Sequence, residues 1–404
     1  MEPWKRILLI MFFAQLLSAI GFSIMFPFLP LYVQSLGIRT GGSIEFWAGL
    51  AFSSQAATMM IASPIWGTLA DRYGRKLMVE RAMFGGAATL FLMAFARSAE
   101  ELVLLRTLQG FITGTISAAN ALVAATAPRE QTGYAMGILQ MGLWGGIAIG
   151  PLIGGVMADA FGFRITFGAT AALLALAGVI VWLGVEETFT PPAKANQPQA
   201  GFLADWRRIL SAQGVGWAYT LRFLSQLGRV MIIPIAPLFI YSLLPDTTHL
   251  GTFTGLVVGL SAAAGTASAV YLGRLGDRVG HRRILTMSAL IGAIFFLPQT
   301  FVSNAWQLLI LQIFTGAATG GIIPALSALL ARYTQPGEAG AVYGLDNSIV
   351  SAARAVAPLI GAAVAVWFGM RGTFAATGLI FFFVALLAAW RLPQAEVACQ
   401  PQAA

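Results

Sequence analysis

The chain has 404 residues, of which 58% are hydrophobic and only 10% are charged, and its formal net charge is +8. Soluble domains carry about 25% charged residues, so this chain has too little polar surface to form a water-soluble globule. The basic excess does not indicate a nucleic-acid partner, because its distribution along the chain follows membrane topology.

Apolar stretches follow one another along the whole chain, and each is long enough to cross a bilayer core of roughly 30 Å as a helix. The twelve predicted spans lie near residues 7–34, 46–66, 77–96, 100–126, 133–158, 164–185, 215–243, 250–272, 284–303, 306–331, 341–367 and 372–391. The first stretch is too long for a cleavable signal peptide and no small-residue cleavage site follows it, so we expect it to remain as span 1. Because no barrel-length alternation of apolar and polar residues occurs, the sequence predicts an all-α integral membrane protein with transmembrane helices.

Lysine and arginine residues are concentrated on one side of these spans. If the N-terminus is cytoplasmic, the outer loops hold only Arg39, Arg97, Arg164 and Arg371, and most other basic residues lie in the inner segments. Cytoplasmic loops carry such an excess. We therefore expect a multi-pass protein of the cell membrane with both termini in the cytoplasm.

The second half of the sequence repeats the first. The loop after span 2 reads GTLADRYGRK (67–76), and the loop after span 8 reads GRLGDRVGHR (273–282). Three residues of span 1 recur in span 7 at a constant offset of 207 residues: Gly21, Pro27 and Pro30 match Gly228, Pro234 and Pro237. A constant offset indicates two pseudo-symmetric six-helix bundles in the same orientation, which is a transporter-type architecture.

Four regions follow from this division of the chain. Residues 1–186 form an N-terminal six-helix bundle and residues 215–393 a C-terminal one. Residues 187–214 form a cytoplasmic linker, in which apolar residues at helical spacing between Phe202 and Leu210 predict a short amphipathic helix on the inner leaflet, or else the soluble start of span 7. Residues 394–404 form a cytoplasmic tail.

Several motifs resemble those of the major facilitator superfamily, and in particular its twelve-helix drug:proton antiporter branch. The motifs are the loop signature 67–76 with its weaker copy at 273–283, Arg106-Thr-Leu-Gln-Gly in span 4, the glycine- and proline-rich segment 146–155 in span 5, and Gly21-x5-Pro27-x2-Pro30 in span 1. The resemblance covers essentially the whole chain. It implies the major facilitator fold and a proton-coupled exporter (antiporter) of amphipathic drug-like compounds that works by alternating access.

The two strongest motifs also have a physical reading. In the loop, Gly67 and Gly74 permit a tight turn and a close backbone approach, while charged side chains can reach helix ends, carbonyls or lipid phosphates. The resemblance implies that this loop latches the two halves together and that span 11 receives Asp71. The predicted latch residues are Gly67, Asp71, Arg72, Gly74, Arg75 and Lys76, with Asp277 and Arg278 in the copy; topology determination by loop charge alone is the alternative.

Span 5 carries small residues four apart on one face. Gly146, Gly150 and Gly154 allow tight packing against a partner helix, and Pro151 bends the helix. We predict that these residues, with Pro27 and Pro30 of span 1, form a packing hinge or seal between the halves.

Ionisable residues within the spans mark a pathway or an ion pair, because an isolated charge at membrane depth is expensive. The predicted substrate and coupling residues are Asp346, Arg106, Arg229, Arg354 and Arg222, with Gln226 and Asn120 as polar companions. In the resembling fold, spans 1, 4, 7 and 10 line the cavity, so Arg106, Arg222 and Arg229 are expected there. Arg222 is also expected to extend to the membrane surface or to cap carbonyls.

Proton coupling is expected to depend on Asp346. Many members of the antiporter branch carry a buried carboxylate in span 1 or span 4, and this chain has none in either core. Arginine cannot take its place because it remains protonated. We expect Asp346 to lie near Arg354 and Arg229, with a structural role at the inner end of the cavity as the alternative.

Two other functions remain open from the sequence. The excess of arginine over aspartate within the spans favours a transporter of an anionic substrate, such as an organic acid, phosphorylated compound or acidic lipid. A membrane enzyme or sensor is disfavoured, because His249 and His281 both lie in predicted loops. We expect no metal, no cofactor and no nucleic acid, but a monomer in the lipid bilayer whose partners are protons and a small-molecule substrate.

Overall fold

The computed structural model describes residues 2–128, 131–187, 214–333 and 339–393. Seven of the described helices are long and apolar enough to cross a membrane. The two longest each join two spans, because a glycine with a left-handed backbone interrupts them: Gly162 (φ 79°) and Gly369 (φ 75°). Most of the linker 187–214, including the expected amphipathic helix, and the tail 394–404 lie outside the described residues.

Each half contains six spans when these glycines and four further breaks are taken into account. The N-terminal half consists of α1a (Pro3–Ile24), α1b (Leu29–Leu36), α2 (Ile44–Tyr73), α3 (Arg75–Met93), α4a (Ala99–Ile112), α4b (Thr115–Thr126), α5 (132–161) and α6 (163–184). The C-terminal half consists of α7a (Val215–Met231), α7b (Ala236–Leu243), α8 (Leu250–Val279), α9 (His281–Phe296), α10a (Ala305–Thr319), α10b (Ile322–Tyr333), α11 (339–368) and α12 (370–391). A short 3₁₀ segment, Leu297–Phe301, extends α9.

The four broken spans are related by the sequence repeat. The breaks in α1 and α7 fall beside Pro27 and Pro234, since proline lacks the N–H that continues a helix. The breaks in α4 and α10 fall at Gly114, with φ 133°, and at Gly320 and Gly321. Breaks of this kind expose helix ends inside a bundle, where they can bind charged groups.

The glycine face of α5 packs against α1a within the N-terminal half. A Cβ at Gly146 would lie 2.8 Å from the carbonyl oxygen of Leu16, and a Cβ at Gly150 would collide with Ser23. The Ser23 hydroxyl donates to the Gly146 carbonyl at 3.0 Å. The prediction of tight packing therefore holds, but the expected seal between the halves is wrong for Gly146, Gly150 and Gly154, because this face of α5 meets α1a.

The neighbouring face of α5 joins the two halves through α8. Gly155 and Gly251 are in direct backbone contact, and Gly255 contacts the carbonyl of Pro151. On the other side of the molecule, a Cβ at Gly49 of α2 would lie 2.7 Å from the carbonyl oxygen of Pro358 in α11. Both contacts lie towards the end of the molecule that carries the α1–α2 and α7–α8 connections, which we call the distal end. We call the opposite end, which carries residues 67–76 and 273–282, the loop end.

Large apolar side chains cover the outside of both halves. Leu183, Trp367 and Phe301 are 70%, 77% and 82% exposed. Such a surface suits lipid rather than water, in agreement with the helix lengths.

Candidate transport pathway and its charged residues

Three polar side chains share one face of α7a. Arg222, Gln226 and Arg229 are four and three residues apart, so they lie above one another on the helix. All three are half-buried. The helix begins after Gly214, with φ 84°, and ends at the break around Pro234, which brings Arg229 beside the interrupted part of the bundle.

Arg222 and Asp346 form a two-point ion pair between α7a and α11. The guanidinium Nε and Nη2 donate to Oδ1 and Oδ2, each at 3.0 Å, and the two side chains are 12% and 17% exposed. Paired donors and acceptors of this geometry are the strongest form of arginine–carboxylate contact. The expectation that Arg222 extends to the membrane surface is therefore wrong, because Asp346 offers its charge a partner at depth.

Arg229 and Arg354 do not pair with Asp346, contrary to the expectation from sequence. The Nη2 of Arg229 donates to the carbonyl of Thr319, the last residue of α10a, at 3.2 Å. This contact places the cation at a helix C-terminus, where the helix dipole favours positive charge. Arg354 is exposed, although it lies well inside α11.

The C-terminal half therefore carries an unbalanced positive charge within its spans. α7a and α11 lie side by side, with Arg222 paired to Asp346 and Met231 against Gly361. Arg229 and Arg354 both lie between these two contacts, on α7a and α11 respectively. Asp346 neutralises one of the three arginines. Among the described residues, no carboxylate lies within ion-pair distance of the other two.

Arg106 has a different setting inside the N-terminal half. It is 2% exposed, and its Nε donates to the carbonyl of Ala51 at 3.1 Å. Its Nη1 donates to the Gln109 side chain at 2.6 Å and contacts the Met25 sulfur at 3.1 Å. The structure thus packs Arg106 between α1, α2 and α4a, instead of leaving it on an open cavity surface. Asn120 is half-buried in α4b.

The loop signature marks the junction between α2 and α3. Gly74 has φ 100° and separates the two helices. The expected close approach at Gly67 is wrong in this structure, because a Cβ there would meet nothing within 4 Å. Arg72 is exposed beside the Tyr73 ring, and the side chain of Asp71 lies outside the described part of the chain.

Glu187 caps the start of α3, a contact that the sequence motif did not predict. Its carboxylate accepts from the backbone N–H groups of Arg75 (3.1 Å) and Lys76 (2.7 Å). The Lys76 ammonium donates to the carbonyl of Trp182 in α6 at 2.9 Å. These bonds attach the end of the N-terminal half to its own signature loop. Glu187 stands at the start of a polar segment, so its position gave no sign of this partner.

The copy of the signature has a different set of contacts. Asp277, near the end of α8, lies 3.2 Å from His281, the first residue of α9, and Arg278 is exposed. Arg282 donates to the carbonyls of Ala388 and Ala389 near the end of α12. The copy therefore connects α9 to α12, as the original connects α3 to α6.

A second unpredicted carboxylate joins the halves at the distal end. Asp159 of α5 accepts from the backbone N–H of Gly251 at 2.8 Å and from that of Thr252 at 2.6 Å. These groups belong to the first turn of α8, where unpaired N–H groups and the helix dipole favour an anion. Asp159 is therefore a charged cap that reaches from one half to the other.

The family model for the Major Facilitator Superfamily matches residues 11–222 and 218–401 of the chain. The chain is 36% identical over 389 residues to the multidrug resistance protein MdtG of Serratia proteamaculans (strain 568), covering 96% of this chain and 94% of that protein. It is 35% identical over 404 residues to the protein of the same name from Yersinia enterocolitica, covering 99% and 96%.

Solved structures of the same architecture support this relation at the level of the fold. A bacterial homolog of the human lysosomal transporter Spinster, inward-facing and unoccupied, superimposes with a TM-score of 0.77 at 14% identity, over 96% of this chain and 97% of that one. The nucleoside transporter NupG gives a TM-score of 0.76 at 13% identity, over 94% and 99%. The predicted fold class, an all-α membrane protein of two six-helix halves, is confirmed.

Proposed function

Because the chain belongs to the major facilitator superfamily, we propose that it is a secondary active transporter that exports amphipathic drug-like compounds in exchange for protons. The relatives named as multidrug resistance proteins, aligned over almost the full length, support the substrate class. The repeated six-helix halves support alternating access, in which the two bundles rock about a site between them.

The loop end is the cytoplasmic side in this proposal, and both termini lie there in the inner or plasma membrane. The basic residues of 67–76 and 273–282 support this orientation through the positive-inside rule. The contacts between α5 and α8 and between α2 and α11 lie towards the distal end. In this proposal, these contacts close the distal end in the state that faces the cytoplasm.

The Arg222–Asp346 pair is the observation that carries the coupling mechanism. A proton bound by Asp346 removes the negative charge that holds Arg222, so the contact between α7a and α11 weakens. If substrate binding depends on this contact, protonation of Asp346 changes the affinity for substrate, and substrate binding changes the affinity of Asp346 for the proton by the same factor. Export follows if the protonated and substrate-bound forms favour opposite states of the two halves.

Transport by the Asp346→Asn variant in proteoliposomes tests this mechanism. We expect the variant to lose ethidium accumulation driven by a pH gradient and to keep downhill ethidium exchange, because asparagine cannot bind and release a proton. Asp246→Asn is the matched control, since Asp246 is an exposed carboxylate bonded only to nearby Thr248 among the described residues. Gradient-driven accumulation that survives in Asp346→Asn would remove the proposed proton carrier.

A further inference from the structure

Within the spans of the C-terminal half, Asp346 pairs with Arg222, and no other carboxylate among the described residues pairs with Arg229 or Arg354. Arg229 uses Nη2 for the carbonyl of Thr319, and a guanidinium has five N–H donors in all. Arg354 is exposed, and neither residue has a described carboxylate within ion-pair distance. Uncompensated charge at this depth is costly and marks a functional group.

Arg354 lies on the face of α11 that meets the other half of the protein. Residues 354, 358 and 362 are four apart and share one face of α11. On that face, Pro358 and Ala362 pack against Gly49 of α2 at 2.7 and 2.9 Å from the position of its Cβ. Arg354 lies one turn from this contact, towards the loop end. It therefore lies on the loop-end side of this contact between the halves.

Arg229 belongs to the same electrostatic group. Arg229 on α7a and Arg354 on α11 both lie between the Arg222–Asp346 and Met231–Gly361 contacts that join these helices, so their like charges repel each other. Its contact with the end of α10a holds the guanidinium beside the break at Gly320. An anion between Arg229 and Arg354 would relieve this repulsion.

We propose that Arg229 and Arg354 form an anion subsite that binds the acidic group of the transported compound. The subsite rests on the proposed function and adds to its substrates amphipathic molecules with a carboxylate, sulfonate or similar group. Guanidinium groups fit such oxyanions because they donate two parallel hydrogen bonds. The apolar part of the molecule then contacts the apolar surface between the halves.

Binding of 2-naphthalenesulfonate and of its neutral relative 2-naphthalenesulfonamide to the purified full chain tests the subsite, because the two probes share one ring system and differ in charge. We expect the sulfonate to bind more tightly. Arg229→Gln and Arg354→Gln should each raise its Kd about tenfold or more, as expected for loss of a charge-assisted hydrogen bond, and should leave sulfonamide binding unchanged. Arg371→Gln is the matched control, since Arg371 is an exposed arginine that donates to the carbonyl of Thr300.

Equal affinity for the two probes, or unchanged sulfonate binding in both Gln variants, would overturn the subsite. A second measurement needs no variant: the sulfonate, and not the sulfonamide, should slow the modification of Arg354 by phenylglyoxal, mapped by mass spectrometry. Equal modification with either probe counts against the proposal. Proton-driven ethidium transport by the wild-type protein distinguishes failure of the exporter hypothesis from failure of the subsite hypothesis. If the wild-type protein binds the sulfonate but does not transport ethidium, the exporter hypothesis is refuted and the subsite is retained.

Discussion

Replacing Asp159 by asparagine should weaken the closed contact at the distal end and shift the protein towards the state that opens there. The carboxylate of Asp159 accepts two backbone N–H groups of α8, at 2.8 and 2.6 Å, across the boundary between the halves. Asparagine keeps the size of the side chain but has only one acceptor oxygen and no charge. The substitution therefore removes one bond and the interaction with the helix dipole.

The size of the effect follows from the energy of a charge-assisted hydrogen bond. Such a bond contributes about 1.5–3 kcal/mol. The site is partly buried, so solvent screening favours the lower figure, and about 1.5 kcal/mol corresponds to roughly tenfold in the equilibrium between the two states. The glycine contacts between α5 and α8 remain in the variant, so the protein is expected to stay folded.

Distances between spin labels at the distal end measure this shift. Arg97→Cys and Ser303→Cys place labels on the α3–α4 and α9–α10 loops in a background with Cys399→Ser. We expect the population with a longer distance to rise roughly tenfold in Asp159→Asn. Asp246→Asn is the control, because it removes the same charge at the same end without touching a contact between the halves. An unchanged distance distribution in Asp159→Asn would refute the reasoning.

Three further substitutions test other parts of the structure. Gly150→Leu should abolish transport and lower the unfolding temperature, because the leucine side chain would separate α5 from α1a at Ser23. Gly168→Leu is the control and should be tolerated, because a Cβ at Gly168 meets nothing within 4 Å. An active Gly150→Leu variant would contradict this packing. Glu187→Gln should destabilise the start of α3 by ~0.5–2 kcal/mol, as for loss of a helix cap, and an unchanged thermal unfolding temperature would show that the cap is dispensable. Asp71→Asn should leave membrane insertion normal and slow ethidium transport, so near-wild-type rates at normal expression argue against a latch.

The helical spans could be predicted from the sequence because they depend on local chemistry, and apolar length fixes a span. The breaks in spans 1, 4, 7 and 10 were not predicted, because proline interrupts some helices and is accommodated inside others, as Pro64 is in α2. The glycines of α5 predicted a close helix contact. Their spacing did not say which helix makes that contact, since small residues permit close approach to any neighbour.

The partners of the charged residues could not be predicted in the same way. Arg222, Arg229 and Arg354 have the same chemistry, and the choice of Asp346 between them depends on how α7a and α11 are placed in three dimensions. The partners of Asp159 and Glu187 are backbone N–H groups at helix starts. Every residue except proline carries the same backbone N–H group, so the sequence does not indicate which helix start a carboxylate will reach.

The intramembrane charges all lie where the repeat between the halves fails. At the offset of 207 residues, Arg222, Arg229, Asp346 and Arg354 correspond to Gln15, Phe22, Leu139 and Ile147, and Asp159 corresponds to Val366. At the offset of 206 residues that relates the two loop copies, Arg106 corresponds to Gln312. The matched residues are the glycines and prolines that shape and pack the helices, so duplication preserved the scaffold. A bundle with equal charges in both halves would have no preferred half for an acidic group or a proton. In the proposed mechanism, the unmatched charges thus direct a charged substrate and the coupling proton to α7 and α11, and Asp159 adds a closing contact that the α2–α11 side lacks at the equivalent position.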